Sequence, residues 1–389
     1  MLTIRLHRKN TVIFKAVKED AALPNVLFAL NFKSSFEGSF MRCIKALAEE
    51  LERNGGKAVY LFPEEDRNHR WTEELMSSGE PVYFFSGGLA HTAKNTGIIK
   101  SIIKNHRIDI IHAHFADYRL NLAIALAMRG NKNIEYIVHA HSNFDSDNAA
   151  HEKAASFLAN ATVYIAVSES IKNTLSINGK RAVTIMNAVD FSRLDRTDPN
   201  VKKEALMAEG CEKSILMFGQ DFELKGVDFI VNTLMEKDPE HKIQLFVAVS
   251  ENTDAATKNV KALCGEIPQW IKLLPAREDV GTYFKLADAF VLANRSEGSP
   301  YTMIESAYMG VPIVYWDVPG QNELNIPWSV KVRPDDKDEM YKAILEIFRE
   351  DKQDTYYMGL ETKDYAVNNF SLGSWVYEIL NIYKNIGKI

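Results

Sequence analysis

Apolar positions in this chain cluster in short runs, and the segments between them carry helical spacing. Residues 26–31 form an apolar run that ends in a polar loop. Over 40–53, Ile44, Leu47, Ala48 and Leu51 repeat at the spacing of one helix face, and Asn54, Gly55 and Gly56 supply a stop. The pattern predicts a strand over 58–62 followed by Pro63, a helix over 98–106, a strand over 108–112 and a helix over 120–128. Further strands are predicted over 134–139 and 162–167. Strands alternating with helices imply a parallel sheet, because a parallel neighbour is reached only through a long crossover.

A second series of the same kind begins after the charged segment 193–203. Its strands are predicted over 214–218, 244–249, 270–273, 289–292 and 312–315, with helices such as 227–237 and 280–286 between them. An α/β fold of two Rossmann-like halves follows. The length of 389 residues agrees with this, since a domain takes roughly 150 residues. The expected division is 1–195 and 196–370, with an amphipathic helix over 371–389 returning to the first domain. No solenoid-period repeat and no low-complexity stretch interrupts this reading.

Composition mostly excludes. No apolar run approaches the roughly 18 residues of a membrane span, and the first ten residues lack the apolar core of a signal peptide. A cytoplasmic protein is expected. Cys43, Cys211 and Cys264 are too scattered for a metal motif or a disulfide framework. The net charge of −6 argues against general nucleic-acid binding. Two basic groups, Arg5, Arg8, Lys9, Lys15 and Lys18 and then Lys94, Lys100, Lys104 and Arg107, read as solvated faces that would permit contact with an anionic surface. Neither a Gly-x-Gly-x-x-Gly nor a Walker A pattern occurs, which disfavours a dinucleotide oxidoreductase or a P-loop enzyme.

Ligands of open parallel sheets gather beyond the C-terminal strand ends, so chemistry is sought in the loops that follow strands. Residues 294–314 read NRSEGSPYTMIESAYMGVPIV. A strand runs into a loop with Glu297 and Gly298, a helix over 300–309 carries Glu305, and Gly310 ends it. The helix start offers N–H groups to an anion such as a diphosphate. Gly298 lets the backbone approach a ligand, and the two carboxylates can accept hydrogen bonds from sugar hydroxyls. Two surface glutamates on a sheet-packing helix would leave the same pattern. Residues 109–115, DIIHAHF, end a strand in His112 and His114. The pair is expected to project to opposite faces, one toward a cleft and one into packing. A buried, hydrogen-bonded histidine fits as well. A metal site is disfavoured because no third ligand adjoins. Asp145-Ser146-Asp147 is a D-x-D triplet of the kind that holds a hard divalent cation.

Segment 294–314 closely resembles the E-x7-E signature of retaining GT-B glycosyltransferases, above all family 4 (group 1), with Ser296, Gly298 and Gly310–Pro312 matching too. The resemblance implies two Rossmann-like domains facing a deep cleft. It implies transfer of a sugar from a nucleotide-diphosphate donor, UDP by default, to a hydroxyl of a saccharide or lipid-linked saccharide. Configuration would be retained and no metal needed, in capsule, exopolysaccharide or lipopolysaccharide synthesis, with possible peripheral contact with the inner membrane face. It assigns Glu297 to the donor sugar and Glu305 to the ribose, with Gly298 and Ser299 at the diphosphate.

Residues 215–226, ILMFGQDFELKG, resemble the family's strand and loop ending in Lys-Gly, which gives Lys225 the diphosphate. Gln220 stands where family members usually carry arginine, and Arg277 and Arg295 are the cations that could replace it. Residues 185–190, IMNAVD, and 167–172, VSESIK, resemble segments around the interdomain cleft, with Asn187 facing it. The strand end at 109–115 resembles the family's D-V-V-H-A-H, which assigns His114 to the donor sugar or acceptor. His141, in the similar VHAHS at 138–142, matches a recurrent family histidine. In 31–40, NFKSSFEGSF, Gly38 is what remains of the loop over the donor phosphates, and Phe40 replaces a common glutamate. Two other readings stand beside this one: a non-catalytic subunit that binds a nucleotide sugar, and a metal-dependent transferase built on the D-x-D triplet.

Overall fold

The apolar runs become two all-parallel sheets. The computed structural model describes residues 22–115, 117–131, 133–142, 161–176, 182–250 and 252–386. The basic group at 5–18 and the triplet at Asp145–Asp147 lie outside these residues.

The first sheet comprises β1 (Asn25–Leu30), β2 (Lys57–Pro63), β3 (Val82–Phe85), β4 (Ile110–His114), β5 (Glu135–Ala140), β6 (Val163–Ala166) and β7 (Ala182–Thr184). Its spatial order is β3-β2-β1-β4-β5-β6-β7. The second comprises β8 (Lys213–Phe218), β9 (Ile243–Ala248), β10 (Ile271–Leu274), β11 (Ala289–Leu292), β12 (Ile313–Trp316) and β13 (Ser329–Val332), in the order β10-β9-β8-β11-β12-β13. The order reverses direction between β1 and β4 in one sheet and between β8 and β11 in the other. Those switch points are where such sheets open a crevice for a ligand.

Central strands are apolar without alternation because helices cover both faces. On β1, Val26, Phe28 and Leu30 face one core, shared with the helices Gly38–Arg53 and Leu372–Asn385. Leu27 and Ala29 face another, under the helices Thr92–His106 and Tyr118–Met128. The second sheet is likewise covered, with Ile215 and Met217 on one side and Leu216 on the other. The helix Leu372–Asn385 lies in the first core through Trp375, Ile379 and Tyr383. Backbone at its start is tied to the first half by the Val189–Ser371 bridge and by Val189 N–H donating to Phe370 O at 3.1 Å.

Three strands carry no clear sequence signal: β3 and β13 are four-residue edge strands, and β7 has three residues. Edge strands are half-solvated, so their composition drifts from the buried pattern. β4 continues to His114, past the predicted end at 112. The strand end is His112-Ala113-His114, and hydropathy does not count histidine as core although all of β4 is buried. Among the described residues no helix is long and apolar enough to cross a membrane.

Candidate functional site

The loops that leave β8 and β11 meet at the switch point of the second sheet. The first passes Gly219 and Gln220 and reaches Lys225 and Gly226; the second carries Asn294 to Ser299. Gly226 has φ +67°, and a Cβ there would lie 2.1 Å from the Ala293 carbonyl oxygen. The two loops are therefore in backbone contact, and only glycine allows both the approach and the left-handed turn. Gly226→Ala is expected to cost about 3 kcal/mol, part torsional and part steric. A urea titration that leaves stability unchanged would show that the loops do not meet.

This contact puts Lys225 beside Glu297. Lys225 Nζ lies 2.8 Å from Glu297 Oε2, with both side chains partly exposed. Asn294 Nδ2 donates to the same oxygen at 2.9 Å, and the Gly298 N–H donates to Oε1 at 3.2 Å. The carboxylate is thereby held beside the ammonium, and neither is sealed from solvent.

The helix Tyr301–Tyr308 begins two residues after Ser299, with Pro300 before it and no side-chain cap on its start. Gly310, at φ +67°, ends it as expected. Ser299 is buried, its Oγ has no hydrogen-bond partner, and its carbonyl accepts from Asn187 Nδ2 at 2.7 Å. Asn187 thus bonds across the two halves, which fits the cleft position expected for it.

The candidate replacements for the missing arginine are engaged elsewhere. Arg295 forks onto Asp228 at 2.9 and 2.8 Å and also donates to the Glu223 carbonyl. Arg277 forks onto Asp279 at 2.6 Å and reaches Asp198 at 3.4 Å. Both brace loops. Gln220 is exposed. Of the cations put forward from the sequence, Lys225 is the one paired with Glu297 at the loop junction.

Gly298 meets another part of the chain about as closely as Gly226 does. A Cβ on it would lie 2.2 Å from the His141 carbonyl oxygen and 3.0 Å from Val167 Cγ2. What it approaches closely in this structure is the other half of the chain. Gly298→Ala is expected to force this contact apart and lower the melting temperature by several degrees, since overpacking costs about 1–3 kcal/mol.

Glu305, which the resemblance assigns to the ribose, is closed off from solvent in this structure. It is buried, and its Oε1 accepts from Ser39 Oγ at 2.6 Å and lies 3.3 Å from Arg193 Nη1. Arg193 also donates to Ser39 Oγ at 2.7 Å. Ser39 follows Gly38, whose φ of +58° starts the helix Gly38–Arg53. A Cβ on Gly38 would meet nothing within 4 Å, so this glycine serves the turn rather than a close contact. The start of the helix Gly38–Arg53 thus touches the E-x7-E helix directly through Ser39, and Arg193, from the segment after β7, joins them; sequence patterns mark neither residue.

At the first sheet the expectation for the histidines is overturned. Side chains at i and i+2 share a strand face, because the pleat has period two. His112 and His114 project to the same side, ring centroids 4.2 Å apart. The parallel register pairs His114 with His139 on β5, so the second His-Ala-His joins the first. His139 lies 4.7 Å from both His114 and His141 by ring centroid. A third ligand does adjoin after all.

His112, His114 and His139 are buried. Burial, with the neighbouring histidines as a smaller cause, pushes His112 down to about 3 and the other two well below the ordinary range. His114 is not open to the cleft in this structure; its Nδ1 meets His141 Nε2 at 3.0 Å, and His141 is the partly exposed member. Phe115 stacks on His141 at 4.1 Å with a left-handed φ of +51°, rare for a bulky residue. Phe40 and Phe32 pack beside it, giving an aromatic wall at the strand end.

Residues 42–193 match Glycosyltransferase Family 4, and residues 212–350 match Glycosyl transferases group 1. An uncharacterized glycosyltransferase of Haemophilus influenzae is 24% identical over 236 residues, covering 58% of this chain and 62% of that protein. Another, of Methanocaldococcus jannaschii, is 24% identical over 313 residues, 77% of this chain and 82% of that protein. Among solved structures, Anabaena HepE in complex with UDP and glucose superposes with a TM-score of 0.74 at 18% identity, over 93% of this chain and 99% of that one. The two parallel sheets therefore form a GT-B architecture.

Proposed function

Starting from a chain that is a glycosyltransferase of the family 4 and group 1 type, we propose that it transfers a sugar from a nucleoside-diphosphate sugar, UDP-linked by default, to a hydroxyl of a saccharide or lipid-linked saccharide, with retention and without a metal at the diphosphate. The observation that carries this is the Lys225–Glu297 pair at 2.8 Å, set where the loops of β8 and β11 meet and beside the start of the helix Tyr301–Tyr308.

As the anomeric C–O bond breaks, positive charge grows on the sugar and negative charge on the departing diphosphate. Lys225 and the N–H groups of the helix start oppose the latter, and the unpartnered Ser299 Oγ can donate to a phosphate oxygen. Glu297 is positioned by Asn294 and Gly298 to accept from a sugar hydroxyl. It acts as an orienting group and not as a covalent nucleophile. The acceptor oxygen bonds to the anomeric carbon on the face the diphosphate leaves, and its proton goes to the departing phosphate. Glu305 meets the ribose once the contact with Ser39 opens. That HepE is bound to UDP and glucose supports the choice of donor class. The exposed Lys94, Lys100, Lys104 and Arg107, on and just after the helix Thr92–His106, would suit the cytoplasmic face of a membrane that carries a lipid-linked acceptor.

The test is donor hydrolysis across a panel of nucleotide sugars, with EDTA and without. Slow release of one nucleotide in EDTA, weakened in Glu305→Gln, is the expected result. Release that needs added Mn²⁺ would favour the triplet at Asp145 and Asp147. Tight binding with no release, even with acceptors supplied, would make the chain a non-catalytic subunit.

A further inference from the structure

We propose that His112, His114 and His139 form a binding site for one divalent transition-metal ion of the zinc and cobalt class, separate from the diphosphate. One nitrogen from each ring lies within 4.8 Å of the others, and all three side chains are buried. His112 Nε2, His114 Nε2 and both ring nitrogens of His139 have no hydrogen-bond partner. Leaving a buried polar atom unpaired costs about 1–3 kcal/mol. Four such atoms in one group call for something that binds them.

The outer contacts suit a metal. His112 Nδ1 is 2.6 Å from the Tyr383 hydroxyl, and His114 Nδ1 is 3.0 Å from His141 Nε2. Where those Nδ1 atoms carry the proton and donate it outward, each Nε2 is left with a lone pair. An outer partner that fixes the tautomer of a ligating histidine is the usual support of a metal site. Three imidazole nitrogens with no carboxylate in the group select zinc, cobalt, nickel or copper over magnesium or manganese. Water supplies the fourth position of a tetrahedral ion.

The ion would join the ends of β4 and β5 and, through His112 and Tyr383, the helix Leu372–Asn385. It would enter during folding or when the chain halves separate, because the rings are closed to solvent.

The experiment uses the full chain with any affinity tag removed, purified without chelator from cultures supplemented with Zn²⁺ or Co²⁺. Elemental analysis should find about one ion per chain, and the Co²⁺ protein should show intense visible ligand-field bands. His139→Asn should weaken metal affinity in chelator competition at least tenfold, since even an outer partner of a ligand is worth about that much, while His91→Asn, at an exposed position, should leave it unchanged. X-ray absorption of the wild-type Zn²⁺ protein covers the case in which His139→Asn does not fold; it should show imidazole nitrogen and no sulfur. Negligible metal in the wild type, undiminished affinity in a folded His139→Asn, or sulfur ligation would each overturn the site. None of these readouts involves donor turnover, so the result stands apart from that of the transferase assay.

Discussion

Replacing Lys225 with alanine is expected to lower donor turnover by about 10²–10³-fold, the usual cost of removing one group that opposes charge developing in a transition state. The loss should fall on kcat. Lys225 faces its greatest demand when the diphosphate departs, while the nucleoside is held by other contacts. The fold should survive, because Glu297 keeps its bonds to Asn294 Nδ2 and the Gly298 N–H. Arg277 and Arg295 cannot compensate from where they stand, since each is forked onto an aspartate. Single-turnover kinetics at saturating donor, with thermal melting as the control, decides the matter. A fall of less than about threefold would remove Lys225 from the leaving-group role.

The second large effect is on stability. Glu305→Ala should destabilise the chain by about 3–5 kcal/mol, the range for breaking a buried ion pair by removing one partner. The Arg193 side chain, 11% exposed, would be left with its charge uncompensated, and Ser39 Oγ would lose its acceptor. Glu305→Gln should cost less, because it still accepts from Ser39. A double-mutant cycle with Arg193→Ala would show a coupling of about 1–3 kcal/mol if the two meet. Additive effects in urea denaturation would mean that the contact is not formed in solution. Ser39 and Glu305 lie in different halves, so in the proposed reaction the same contact would set how far a nucleotide can reach the carboxylate. Ser39→Ala should therefore tighten nucleotide binding while it weakens the fold.

Particular residues show how much was legible in advance. Gly310, Glu297 and Lys225 could be placed from sequence because their signals are local: a left-handed helix end, a loop after a strand, a strand–loop motif. The pairing of Lys225 with Glu297 was not legible, because it needs β8 and β11 to be neighbours, and strand order is not written in either loop. Arg295 could not be assigned. Its choice between a diphosphate and Asp228 depends on where the helix Val227–Lys237 begins relative to the loop after β11. Gly298 announced a close approach, but not that the neighbour was the His141 carbonyl.

What the sequence determined by itself was the alternation of strand and helix, the division into two α/β halves and the loops where chemistry gathers. These follow from hydrophobic periodicity and turn residues, which act within a few positions of the chain. The tertiary structure alone decided the four-histidine cluster, the enclosure of Glu305 by Ser39 and Arg193, and the occupation of Arg277 and Arg295. Each depends on strand register or on the seating of one half against the other. Those are set by packing across tens to hundreds of residues of separation, and no local pattern encodes them.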